Sequence, residues 1–308
     1  MGHGVFLPLV LPMTAWPIAR LAEQHLHPRT ATRLLAGVSA LMALCSTLCL
    51  ALIMVVGTAQ LPGNPLPDSW SDPEVREAVP YDEVVGKAAI PALVAVAAAC
   101  AVTVWRHHRV RRRAARALEG LPPARIAVLP DTARYAFALP GPASRIVVST
   151  GMLSGLDPAE RRALFAHESA HLAAGHHRHL MAALLAARAN PFLRPLYTAV
   201  AYCAERWADE EAAELIGNRR VMARAVGKAA LASTGTPHPT FAGFAAGPVP
   251  RRVAALLGPV PSTRAWPPAF TAAGVAVWTA AAGTMASAFS SANSAVALFL
   301  VLRTATSL

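Results

Sequence analysis

Two kinds of hydrophobic patterning divide the chain. In the first third and near the C-terminus apolar residues run on without interruption, whereas residues 117–266 show short periodic stretches broken by turns. Leu34–Ala59 carries no charged residue over 26 positions, and a helix needs only ~20 to cross a bilayer. A second uncharged run extends from Ala88 to Trp105, and a third from Ala269 to Leu302. The run Gly4–Ala19 is shorter and contains Pro8, Pro12 and Pro17. It lacks the basic leader and the small-residue cleavage site of a signal peptide, so a retained, Pro-bent span is predicted. About four membrane helices follow from this pattern.

The central segment reads differently. Arg125–Leu129 and Arg145–Ser149 are short β-rich runs, separated by Pro- and Gly-containing turns over 130–142. Asp157-Pro158-Ala159-Glu160 has the form of a helix start, with Asp as N-cap, Pro at the first helical position and an acid in the first turn. The helix is predicted to continue from Arg161 to about His179. Farther on, 180–187 and 196–203 are apolar pieces and Asn218–Leu231 is an Ala-rich helix. Residues 234–250 form a Gly/Pro/Thr-rich connector, and Arg251–Leu257 a short amphipathic helix.

Composition sharpens the division. Of 308 residues 55% are hydrophobic and only 15% charged, against roughly 25% charged in an ordinary soluble domain. Mean hydropathy is +0.41. A disordered chain and a purely soluble enzyme are both excluded by this balance. The net charge of +11 is concentrated beside the apolar runs. Arg20, Arg29 and Arg33 precede the run that begins at Leu34, and Arg106, Arg109, Arg111, Arg112, Arg113 and Arg116 follow the one that ends at Trp105. The 61–87 loop between those runs is acidic, with Asp68, Asp72, Glu74, Glu77, Asp82 and Glu83. The positive-inside rule then puts both basic clusters in the cytoplasm and the acidic loop outside. The arginines lack interleaved aromatics, so anionic lipid headgroups explain them better than nucleic acid does. Cys45, Cys49, Cys100 and Cys203 form no CxxC pair and read as small apolar packing residues.

The candidate chemistry lies at His167-Glu168-Ser169-Ala170-His171. Histidines four apart share a helix face, where both imidazoles can bind one metal ion. Glu168 then lies where its carboxylate reaches a water activated by that ion rather than the ion itself. Two options exist for a third ligand. His177 sits where a metzincin would want it, but the glycine of that pattern is displaced from 174 to 175. Glu205, 34 residues beyond His171, would complete a His₂Glu set, with Asp209 one turn on to accept a hydrogen bond from a ligating histidine. Glu210, Glu211 and Glu214 read as a solvated face, and Trp207 as core. Zinc is favoured over other divalent metals by the ligand types.

These motifs carry a family resemblance. Tyr135-Ala-Phe-Ala138, Arg145–Leu153, Asp157, His167–His171 with His176, and Glu205-Arg-Trp-Ala-Asp209 resemble the integral-membrane gluzincin peptidases, both the HtpX and CAAX-protease group and the BlaR/MecR-type antirepressor peptidases. The resemblance covers roughly residues 120–260 in motif and nearly the whole chain in topology. It implies His167, His171 and Glu205 as zinc ligands, Glu168 as catalytic base, and a bacterial plasma-membrane protein. His176 matches a recurring histidine of the HtpX-like group, with a supporting or packing role. HtpX-like enzymes thread membrane helices between the two ligand segments. The 34 residues available here cannot hold two spans, which favours the BlaR/MecR-type plan. A penicillin-sensor domain like that of this group is not expected.

The expected fold is a mainly α membrane protein with about four transmembrane helices and a cytoplasmic α+β zincin-like peptidase domain between the third and fourth. Residues 1–116 form the three-span region, 117–266 the peptidase domain and 267–308 the last transmembrane helix. The expected activity is zinc-dependent endopeptidase cleavage of a cytoplasmic protein, by resemblance a transcriptional repressor in a signalling pathway, with the lipid bilayer as the other partner. A quality-control protease for membrane proteins and a catalytically silent metal-binding receptor are the alternatives. A metal transporter would need ionisable groups within 34–59 and 88–105, and there are none.

Overall fold

The computed structural model describes residues 7–59, 82–141, 144–232, 248–261, 268 and 270–306. The N-terminal run does not form the predicted single span. It breaks into α1 (Leu7–Val10), a 3₁₀ turn (Leu11–Thr14) and α2 (Ala15–His25). Pro12 has no N–H to continue a helix and sits at the start of the 3₁₀ turn, while Pro17 falls in the first turn of α2.

Two described helices are long and apolar enough to cross a membrane, α3 (Pro28–Ala59) and α4 (Asp82–Ala117). They pack along each other, and where they meet, a Cβ at Gly57 would collide with the backbone of Gly86. Only a pair of glycines lets the two backbones approach so closely. Asp82, Glu83 and Lys87 belong to the first turns of α4 rather than to the acidic loop, the rest of which lies outside the described residues. Helix α4 also runs on through the arginine cluster to Ala117, well past the uncharged stretch.

Three strands follow: β1 (Ile126–Leu129), β2 (Ala136–Leu139) and β3 (Arg145–Ser149). The sequence reading missed β2, placing turns there. Its four residues are all buried, so the inside–outside alternation that marks a half-exposed strand is absent. The sheet order is β1-β3-β2, with β1 parallel and β2 antiparallel to β3. Ser149 ends β3 and caps the short α5 (Thr150–Ser154) through Met152 N–H.

Helix α6 (Pro158–Ala174) begins as expected. Asp157 Oδ1 accepts from Glu160 N–H at 2.8 Å, and Glu160 Oε2 accepts from Asp157 N–H at 3.0 Å, a complete capping box. Lys228 Nζ, 2.7 Å from Glu160 Oε2, ties this cap to α9 (Arg219–Ala232). The helix stops earlier than the expected His179. Gly175 adopts φ +65°, a left-handed cap open to glycine without strain, and α7 (His176–Ala189) starts in a new direction. After a 3₁₀ turn at Pro191–Leu193 comes α8 (Arg194–Ile216), so the apolar pieces 180–187 and 196–203 are both helical. The short α10 (Val249–Leu257) and the 35-residue α11 (Ala272–Thr306) follow.

Helix α8 is shared by two cores. One face joins Ala15, Leu35, Met42 and Ala183 through Leu196, Ala199 and Cys203. Another presents Ala212 and Ala213 to Val148, Leu164, Met222 and Leu256. The many alanines of α8 allow helices to pack close on both sides. Helix α6, on which the sheet packs, meets one of these faces, and α3 the other.

Candidate metal centre

Helix α6 carries His167, Glu168 and His171, and α8 crosses it carrying Glu205 and Asp209. All five side chains are buried. His167 Nε2 and His171 Nε2 lie 3.0 Å apart, and each is 3.4 Å from a Glu205 carboxylate oxygen. Ligands at Zn–N distances near 2.05 Å in a tetrahedron stand about 3.3 Å from one another, so this trio fits one zinc ion. These three residues form the one cluster of potential metal ligands among the described residues. His177 is not part of it. The turn at Gly175 is present, but it delivers His176, not His177, to the centre.

The supporting contacts fix which ring nitrogen faces the ion. His167 Nδ1 is 3.1 Å from Asp209 Oδ1, so an Nδ1–H donates to the carboxylate and leaves Nε2 as the ligand atom. His171 Nδ1 is 2.8 Å from His176 Nδ1, an arrangement in which His171 donates and His176 accepts. The His176 ring stands edge-on to Trp207 at 4.5 Å between centroids. Arg29 and Arg33, at the start of α3, stack on the same indole at 5.5 and 5.1 Å. Trp207 is buried as expected, but it also connects α3 to the metal site. His176→Ala should weaken zinc binding about 10–100-fold, measurable by competition with a chromogenic chelator.

The sequence reading missed Arg252. This arginine of α10 is fully buried and donates from Nε and Nη2 to both oxygens of Asp209, at 2.8 and 2.6 Å. Its Nη1 is 3.0 Å from Glu205 Oε2. One cation thus holds a ligand carboxylate and the carboxylate behind a ligand histidine. A weak signal existed: Arg252 lies four residues before Leu256, on the apolar face of an amphipathic helix, where an unpaired arginine is not expected. Its neighbour Arg251 turns outward to Glu23 and the Tyr202 ring. Glu210 also departs from the expected solvated face, since it pairs with Arg206 and Arg219. Glu211 and Glu214 are exposed as expected.

Electrostatics follow from this packing. Burial disfavours a charged His167, yet the hydrogen bonds and charges of Asp209 and Glu205 outweigh it and push the pKa up to about 9. Burial drives His171 well below the ordinary histidine value, with Glu205 opposing, and drives His176 down to about 3, aided by neighbouring cationic groups. Burial works against the ionised forms of Glu205 and Asp209 too, but Arg252 and the histidines prevail and hold both low. Glu168 differs. Burial, with Glu205 adding to it and His167, Arg252 and the Ala138 backbone opposing, pushes its pKa up to about 7.

Residues 101–193 match peptidase family M48. That stretch is similar to the M48 peptidases, and with the His167–His171–Glu205 cluster the site is that of a zinc metallopeptidase. The match includes both histidines and Glu168 but stops short of Glu205, so the third ligand of this metallopeptidase rests on the geometry above. No curated protein and no solved structure matches the chain. Because His167 must be neutral to ligate, zinc loading of the metal-free protein should release a proton below about pH 9. Apparent zinc affinity should therefore rise about tenfold per pH unit between roughly pH 7 and pH 9 and level off above. Chelator competition at several pH values checks this, and a flat profile would mean that His167 is already neutral.

Proposed function

We propose that the protein is a membrane endopeptidase whose zinc centre faces the cytoplasm and cuts protein substrates there. The observation that carries this reading is the fully buried Glu168 carboxylate beside a complete His₂Glu ligand set. When bound by His167, His171 and Glu205, zinc supplies Lewis acidity, drawing electron density from the scissile carbonyl and acidifying water beside it. Glu168 takes the proton from the attacking water as the oxygen bonds to the carbonyl carbon. It then hands that proton to the leaving amine as the C–N bond breaks. A pKa near neutrality suits both halves of this transfer. Asp209 and His176 hold the imidazoles in the tautomers that ligation requires.

Helix α6 packs on β2, an edge strand of the sheet, and an extended peptide could add to that edge by main-chain hydrogen bonds. The cytoplasmic orientation rests on the basic residues at 20–33 and 106–116, and the multi-pass topology on α3, α4 and the uncharged length of α11. An antirepressor role of the BlaR/MecR type is consistent with the short segment between the ligand helices. A quality-control role is favoured by the contact between Trp207 and the arginines of α3, which sets the centre close to the membrane surface.

Elemental analysis of detergent-purified protein tests the site. Wild type and Glu168→Gln should hold about one zinc, and Glu205→Ala should lose most of it. Wild-type protein that cannot be loaded would end the peptidase reading.

A further inference from the structure

We infer that the α7–turn–α8 hairpin is a re-entrant element whose tip, Asn190–Arg194, is buried in lipid in the leaflet on the peptidase side. The inference rests on the membrane reading of α3 and α4 above, and it comes from the register of the hairpin against these two helices.

Three positions give the register. His177, at the base of α7, lies within electrostatic reach of His107 and Arg111 on α4. Two turns farther on, the Leu185 carbonyl meets Cys100 Sγ at 3.8 Å. Helix α7 therefore runs back along α4, from its arginine cluster into its uncharged stretch. On the other side His179 lies within reach of Arg33 on α3, and α7 then follows α3 past Leu35 into the core that includes Met42 and Ala43.

Both helices return the same depth for the tip. Counting from Arg106 on α4, or from Arg33 on α3, Asn190 lies about 16 Å inside the last charged residue at 1.5 Å per residue. A hydrocarbon core is ~30 Å thick, so the tip reaches roughly its middle and cannot cross it. If α3 and α4 are in the bilayer at this level, the segment packed beside them is as well.

The side chains at the tip suit such a place. Phe192 is 56% exposed, while Leu193 and Leu196 turn inward. The exposed charges near the tip among the described residues are Arg188 and Arg194, whose apolar stems can carry a guanidinium several ångströms back toward the headgroup side. Asn190 caps the turn through Phe192 N–H at 3.1 Å, so this break in the helix leaves its backbone donor satisfied away from water. The base of the hairpin holds His176 at one end, and the returning helix carries Glu205. The zinc centre is thereby mounted on an element anchored in lipid, and the substrate class that follows is protein segments close to the membrane surface.

The test uses full-length protein in vesicles of phosphatidylcholine and phosphatidylglycerol, with a fluorescent maleimide on single introduced cysteines. Three positions are compared: Phe192→Cys, Leu44→Cys on α3 (67% exposed) and Leu215→Cys at the far end of α8 (76% exposed). Unmodified protein gives the background from the native cysteines, three of which are buried. Zinc content of each variant shows that it is folded. Quenching is measured with aqueous iodide and with a lipid carrying a nitroxide in its acyl chain. The Phe192 probe should resemble the Leu44 probe, quenched several-fold more by the lipid nitroxide than by iodide, with Leu215 the reverse. A Phe192 probe that behaves like Leu215, while Leu44 is quenched from lipid, overturns the re-entrant hairpin and leaves the membrane reading standing. A Leu44 probe quenched by iodide overturns both.

Discussion

Glu168→Gln is expected to keep its zinc and to lose about 10²–10⁴-fold in peptide hydrolysis. Glutamine has the size of glutamate but cannot take a proton from water, so the ligand geometry persists while proton transfer does not. The carboxylate is buried against β2, with the Ala138 backbone as a weak partner, so removing its charge should cost the fold little. Its burial already disfavours the ionised form, as the raised pKa of about 7 records. A modest gain in thermal stability of the metal-free protein is the natural companion result. Hydrolysis of a quenched-fluorescent peptide mixture by zinc-loaded protein, with zinc content measured on the same sample, checks both halves. Undiminished hydrolysis in a zinc-replete Glu168→Gln protein would remove Glu168 from the chemistry.

Arg252→Met should be the most damaging single change away from the ligands themselves. It leaves Asp209 and Glu205 as buried carboxylates without their shared cation, and breaking a buried pair on one side costs about 3–5 kcal/mol. The loss should be largest without metal, because bound zinc would itself neutralise Glu205. Thermal unfolding with and without zinc separates the two states, and the metal should recover part of the stability in the variant. Arg252→Lys should fall between, since a lysine keeps the charge but cannot make the two-pronged contact to Asp209. A metal-free Arg252→Met protein as stable as wild type would show that the two carboxylates find other compensation.

Arg252 also illustrates where reading along the chain runs out. The capping box at Asp157 and Glu160, the two histidines on one helix face and the uncharged runs of α3 and α4 are local patterns, and all of them appear in the structure. The end of α6 is local too. Gly175 was noted only as a misplaced metzincin glycine, yet its left-handed conformation ends the helix four residues after His171 and brings His176 onto that ligand. β2 escaped because a strand buried on both faces shows no alternation. Arg252 escaped because its partners are 47 and 43 residues away in sequence, on another helix.

What the chain determined by itself is thus the chemistry it can bring to bear: which helices are apolar enough for a membrane, and which residue types at 3.6-residue spacing can bind a metal. These follow from side-chain character and helical geometry, which act between near neighbours. The tertiary structure alone decided the rest. It chose Glu205 over His177 and joined Asp209 to Arg252. It set Trp207 under the arginines of α3, and it laid α7 along α3 and α4 and α8 along α3. Each of these depends on which helix faces cross, and crossing is decided by packing among many small residues, Ala183, Ala199, Ala204 and Ala208 among them. No single one of those residues announces its partner.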